Sequence, residues 1–208
     1  MKSRPILFSG PMILALLDGS KTQTRRIIKN DPYVVKYDIT SDEADGNIIC
    51  HGHAHAVYDA KHKHPIPCPY GAIGDRLWIK ETYRSQAAND SQKPIDIEEG
   101  DPIRYEADEH EDGNPLYGWG RIRQSIYMRH WMSRLTLEIT NVRVERLQDI
   151  SPHDALAEGV GHNNMGNPVI DYQNLWDSIN AEKGPGEHGY AWAGNPWVWA
   201  LTFKRITP

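Results

Sequence analysis

The chain has 208 residues, a formal charge of −5 and a pI near 6.0, which excludes coating of nucleic acid by bulk charge and leaves room only for a local basic patch. Apolar content of 39% is low for a globular domain, yet seven tryptophans and ten tyrosines supply bulky material for a core. No stretch approaches the roughly 20 apolar residues that span a bilayer, no small-residue cleavage site follows Met1-Lys2-Ser3-Arg4-Pro5, and two cysteines, Cys50 and Cys68, make no disulfide framework, so a single cytoplasmic domain over residues 1–208 is expected.

Residues 5–8 read as a short strand. Gly10-Pro11 opens a helix whose body is Met12, Ile13, Ala15, Leu16 and Leu17, with Gly19 suited to the left-handed position past its end. In the polar segment that follows, alternation puts Lys21, Gln23 and Arg25 on one face and Thr22, Thr24 and Arg26 on the other; a bulge or turn would bring Lys21 and Thr24 together. Residues 30–69 are polar and histidine-rich and read as an insertion, with a hairpin expected around Ile48-Ile49-Cys50 and Ala56-Val57-Tyr58. A turn at 70–75 precedes a strand at 76–82, in which Trp78 is expected to be buried while Lys80 and Glu81 reach a cleft. Residues 85–118 form a second insertion, acidic and with strand-like Ile103-Arg104-Tyr105 inside it, expected to be a solvated, partly mobile loop.

Residues 135–146 form the clearest strand, with Leu135, Leu137, Ile139, Val142 and Val144 in a pattern that changes phase near Thr140-Asn141, as at a bulge. Ser151-Pro152-His153-Asp154 carries a helix cap, a proline at the first turn and an acid behind it; the short helix runs to Glu158 and ends at Gly159. A longer helix at about 169–181 puts Tyr172, Leu175, Trp176 and Ile179 on one face, and residues 195–203 form the last strand. Short strands separated by large polar loops predict an α+β fold, a small, partly open β-barrel flanked by helices. No Gly-rich phosphate loop or Gly-x-Gly-x-x-Gly element is present.

Gly19-Ser20-Lys21-Thr22-Gln23-Thr24-Arg25-Arg26 places an amine, hydroxyls and two guanidiniums directly after an apolar helix. A partly desolvated lysine can lose its proton near neutrality and act as a base toward a neighbouring hydroxyl. The competing reading of the same residues is an exposed basic strand edge that blocks edge pairing.

Three longer pieces occur in order: Leu17-Asp18-Gly19-Ser20-Lys21-Thr22-Gln23-Thr24-Arg25-Arg26, Gly74-Asp75-Arg76-Leu77-Trp78-Ile79-Lys80-Glu81, and Ser151-Pro152-His153-Asp154-Ala155-Leu156-Ala157-Glu158-Gly159-Val160. With the terminal Trp197-Val198-Trp199-Ala200-Leu201-Thr202-Phe203 they resemble the ASCH domain family, a PUA-like β-barrel superfamily linked to RNA binding and modification, and most of all its larger bacteriophage and prophage members. The family includes bacterial amidohydrolases that remove the acetyl group of N4-acetylcytidine. Their lysine, threonine and glutamate fall on Lys21, Thr24 and Glu158, which the resemblance implies as the catalytic set, and a family arginine falls on Arg26; Thr22, Arg25, Arg26, Lys80, Glu81, Arg129 and Trp131 are the expected substrate contacts. This chain is about twice as long as those enzymes, and its insertions bear on which substrate fits.

Two other groups stand out. Cys50-His51-Gly52-His53-Ala54-His55 with His62, His64 and Cys68 has zinc-ligand chemistry, but its spacing matches no standard zinc module; no metal and no cofactor is expected. Arg121, Arg123, Arg129, His130 and Arg134 interleave with Trp119, Tyr127 and Trp131, which suits single-stranded nucleic acid or, equally, aromatic core anchors beside solvated arginines. Within this stretch the Met-Pro-Arg-Trp typical of the phage proteins reads Met128-Arg129-His130-Trp131. The leading expectation is hydrolysis of an acylated cytosine nucleoside, alone or in RNA; the rivals are a non-catalytic RNA- or DNA-binding module and a metal-independent ribonuclease.

Overall fold

The computed structural model describes residues 1–29, 33–37, 54–58, 65–108, 118–160, 166–184 and 189–206. The fold is mixed α+β around a mostly antiparallel five-stranded sheet. Strand β1 (Ser3–Leu7) leads into helix α1 (Gly10–Asp18), which Gly19 closes at φ 85°. Strand β2 (Gln23–Ile27) follows. A two-stranded ribbon of β3 (Tyr33–Tyr37) and β4 (Ala54–Tyr58) precedes β5 (Arg76–Lys80), and a second small pair is β6 (Tyr83–Arg84) with β7 (Arg104–Tyr105). The chain continues through β8 (Thr136–Arg146), α2 (Pro152–Ala157), α3 (Pro168–Asn180) and β9 (Trp197–Ile206).

The sheet order is β1-β5-β8-β9-β2, with only β1 and β5 parallel. The long strands β8 and β9 form its spine, and their register shifts between Ile139 and Asn141. That is the bulge expected from the phase change at Thr140-Asn141; the extra residue re-aims every side chain after it. Strands β1 and β2 are the two edges. They approach where Arg26 on β2 donates through Nη2 to the Leu7 carbonyl at 2.7 Å.

Two apolar clusters hold α1, α2 and α3 against this sheet. Ile13 and Leu16 of α1 pack with Ile6, Leu77, Leu137, Leu201 and Phe203. Ala155 of α2 and Tyr172 and Trp176 of α3 pack with Leu147, Val160 and Val198. Each fully buried Leu, Ile or Phe is worth about 1.5–3 kcal/mol, enough to fix the end of each helix relative to the sheet. Those ends carry the site.

Three expectations need correction here. Ala56-Val57-Tyr58 does lie in a hairpin strand, but its partner is Tyr33–Tyr37; Ile48-Ile49-Cys50 lies outside the described residues. The second insertion is no solvated loop over residues 85–108. Ile97 packs with Tyr83, Met128 and Met132, and the buried Arg123 guanidinium donates to Ser85 Oγ (3.2 Å) and to the carbonyls of Gln92 (3.2 Å) and Asn89 (2.5 Å). A charged fork bonded to main-chain oxygens can order a polar segment that has few apolar residues of its own. Trp78 is half-buried rather than buried, because β5 alternates and turns Leu77 and Ile79 inward; its ring meets His130 edge-on at 5.2 Å.

Candidate functional site

The main chain after Gly19 is stitched into a small space between α1, α2 and β9. Lys21 N–H donates to Ala15 O (2.9 Å), Thr22 N–H to Ala157 O (2.8 Å), and Phe203 N–H to Thr22 O (2.9 Å). Lys21 and Glu158 form an isolated antiparallel bridge. Glu158 caps α2, whose start is fixed by the Ser151 hydroxyl accepting from Asp154 N–H at 3.1 Å. Gly159 then turns at φ 82°. A Cβ there would meet Ala15 Cβ at 2.8 Å and Lys21 Cβ at 3.0 Å, so glycine lets the end of α2 close on Lys21.

The result is a buried ionic cluster. Lys21 is 2% exposed and Glu158 3%. Lys21 Nζ donates to Glu158 Oε2 at 2.9 Å and to the Glu158 carbonyl at 2.7 Å. Arg25 donates through Nη1 to Glu158 Oε1 (3.1 Å) and through Nε to Glu145 Oε1 (2.8 Å), and its Nη2 lies 3.2 Å from Asp154 Oδ2. Gln23 Nε2 reaches Asp154 Oδ1 at 2.9 Å, and Arg143 Nη2 reaches Asp154 Oδ2 at 2.9 Å.

Burial lowers the Lys21 ammonium below its ordinary value, and the Glu158 charge opposes the shift without cancelling it. Burial alone raises the Glu158 carboxyl, but Lys21 and Arg25 outweigh it and hold Glu158 below the ordinary carboxylate range. Glu158 is therefore a carboxylate at neutral pH, hydrogen-bonded to a lysine whose proton is more easily lost than usual.

A cavity of about 490 Å³ opens beside this cluster, within the roughly 300–1,000 Å³ usual for small-molecule sites. Thr24, Arg25, Arg26 and Glu158 line one side, Tyr172 and Trp176 of α3 the other, with Tyr190 beyond. Thr24 is 3% exposed and its hydroxyl has no hydrogen-bond partner among the described residues. Lys21 stands behind Glu158 and does not itself line the cavity.

The structure thus brings Lys21, Thr24, Arg25, Arg26 and Glu158 together, and the expectation of an exposed basic edge is wrong. Covering both sides of β2 buries Gln23, Thr24 and Arg25 in succession, so alternation does not sort them. Glu158 bonds directly to Lys21.

Other expected contacts lie elsewhere. Thr22 is exposed and outside the lining, because the bridge at Lys21 spends Thr22's main chain on α2 and β9. Lys80 donates to the Ile126 carbonyl at 2.5 Å. Glu81 is buried against Arg134, which meets both its oxygens at 2.9 Å. Arg129 is exposed, and Trp131 packs on the cluster of Tyr83 and Ile97.

Within the basic–aromatic stretch, Arg123 and Arg134 hold protein oxygens, and the Arg134 guanidinium stacks 4.0 Å from the Tyr105 ring; Arg121 and Arg129 are exposed. Of the histidine-rich group only Cys68 has a described side chain. It is half-buried, and burial pushes its thiol up to about 11. Among the described residues no three His, Cys, Asp or Glu side chains gather as metal ligands, and no helix is long and apolar enough to cross a membrane.

The residues that sequence reasoning missed are Tyr172, Trp176 and Tyr190. The helical spacing marked the first two as core, and nothing in the spacing told core from cavity wall. No protein-family model matches the chain, and no curated protein or solved structure matches it either.

Proposed function

We propose that the chain is a single PUA-like β-barrel domain of ASCH type, of the larger bacteriophage and prophage kind, that hydrolyses the acyl amide of N4-acetylcytidine or a related modified cytosine in the cytoplasm. The observation that carries the reading is the contact of buried Lys21 with Glu158, which lines a cavity together with Thr24. A carboxyl and a hydroxyl on one cavity, with an amine hydrogen-bonded to that carboxyl from within the protein, are the groups that amide hydrolysis needs.

In the proposed sequence, the Lys21 proton passes to Glu158 along their 2.9 Å hydrogen bond. The neutral amine takes the proton of Thr24 Oγ or of a water, and that oxygen forms a bond to the acetyl carbon. Glu158 then protonates N4 as the C–N bond breaks, releasing cytidine. Where Thr24 carries the acyl group, Lys21 again passes its proton to Glu158 and takes one from the attacking water, and Glu158 protonates Thr24 Oγ as the ester bond breaks, releasing acetic acid and restoring the ion pair. Each proton transfer of this kind contributes about 10²–10⁴-fold.

The test is a panel of N4-acylated and unmodified cytidines, RNA and DNA, incubated with wild type and Lys21→Ala, with products identified by mass. Release of cytidine by wild type alone supports the reading. Cleavage of unmodified RNA, or salt-sensitive RNA binding without turnover, replaces it with one of its rivals.

A further inference from the structure

Tyr172 has no role in the proton transfers above, yet it lines the cavity at 3% exposure. Its ring is fixed by Trp176 (centroids 6.1 Å), Trp192 (6.4 Å) and the Arg25 guanidinium (5.9 Å), so it cannot swing to find a new partner. The neighbouring Trp176 donates its indole N–H to the Tyr190 carbonyl at 2.7 Å, whereas the Tyr172 hydroxyl has no hydrogen-bond partner among the described residues. Burial first, and the Glu158 charge second, push this phenol well above its ordinary value. It stays protonated and can donate.

Arg26 lines the same cavity. Its Nη2 is spent on the Leu7 carbonyl, and its guanidinium lies 5.0 Å from the Phe8 ring. Its Nε is buried without a partner, and no carboxylate forms an ion pair with it among the described residues. Buried donors in folded proteins nearly always find acceptors. Tyr172 and Arg26 line one cavity, and among the described residues neither the Tyr172 hydroxyl nor the buried Arg26 Nε has an acceptor, so a ligand is the natural source.

We propose that Tyr172 is a specificity-determining residue whose hydroxyl, with the Arg26 guanidinium, reads the acceptor edge of a neutral ring, the 2-carbonyl and adjacent ring nitrogen of cytosine. Ionised Glu158 in the same cavity disfavours a full anion such as phosphate. The assignment rests on the cytosine reading above, and its test does not depend on turnover.

Calorimetry with cytosine, with 4-aminopyrimidine (the same ring without the 2-carbonyl) and with inorganic phosphate compares wild type with Tyr172→Phe, which keeps the ring packing. The expected result is about tenfold weaker cytosine binding in the variant, unchanged 4-aminopyrimidine binding and an unchanged melting temperature. Equal losses for both rings, no cytosine binding by wild type, or phosphate binding tighter than cytosine overturns the assignment. Wild type that binds cytosine in this pattern but leaves N4-acetylcytidine intact refutes hydrolysis alone. Tyr172→Phe with wild-type kcat/KM and cytosine affinity refutes the donor pair alone.

Discussion

Replacing Glu158 by glutamine removes one charge and almost no volume. Arg25 keeps Glu145 and Asp154 as counter-ions, but Lys21 is left without one, holding only neutral oxygens of residue 158. Stranding a buried charge in this way costs about 3–5 kcal/mol, a large part of the roughly 5–15 kcal/mol that holds a domain together. For a chain of this size each kcal/mol moves Tm by about 2–4 °C, so the variant should melt about 6–20 °C lower at pH 7. Its Lys21 would then be a buried lysine with a lowered folded pKa. The native variant binds fewer protons than the unfolded chain, so its stability rises with pH between that lowered value and the ordinary 10.5. The gain approaches about 1.4 kcal/mol per pH unit. Urea denaturation followed by circular dichroism at pH 7, 8 and 9 measures both effects. A loss under about 1 kcal/mol that does not change with pH would refute the claim that the pair is ionic and dry.

Gly159→Ala combines a left-handed backbone with contacts of 2.8 and 3.0 Å to Ala15 and Lys21; a loss of about 2–4 kcal/mol in urea denaturation is expected, and full stability would show that α2 does not press on Lys21. Tyr83→Phe removes a buried hydroxyl with no partner among the described residues; stability should rise by about 1 kcal/mol, and a fall of that size would reveal a partner. Glu158 and Asp154 both have carboxyls held below their ordinary values of 4.5 and 3.8. The stability they contribute is present above those values and lost as pH falls through the lowered ones, so urea midpoints of wild type should drop below about pH 4.5 and those of Glu158→Gln should drop less.

Local chemistry made much of the framework readable. Gly10-Pro11 and Gly19 bounded α1, Ser151 and Gly159 bounded α2, and the phase change in residues 135–146 marked the bulge that the β8–β9 register contains. The site was readable only as far as its polar residues. Periodicity placed Tyr172 and Trp176 on an apolar helix face, and whether such a face meets packed side chains or a cavity depends on what lies across from it. Lys80 and Glu81 sat near useful motifs, yet Lys80 is spent on the Ile126 carbonyl 46 residues away in sequence and Glu81 on the Arg134 guanidinium 53 residues away, while Arg129 is exposed and Trp131 packs on an apolar cluster. Partners at that separation leave no local signal. The order in residues 85–108 was hidden for the same reason, since Arg123 imposes it from outside the segment.

Thr24 bears on the central claim most directly, because it lines the cavity and its hydroxyl has no partner among the described residues, while its neighbours carry the ionic cluster. The deciding measurement is kcat/KM for N4-acetylcytidine with wild type and Thr24→Val, alongside their melting temperatures. A fall of about 10²-fold or more at equal melting temperature is the predicted result. Equal rates in the two proteins, or no cleavage by wild type above buffer, would contradict it.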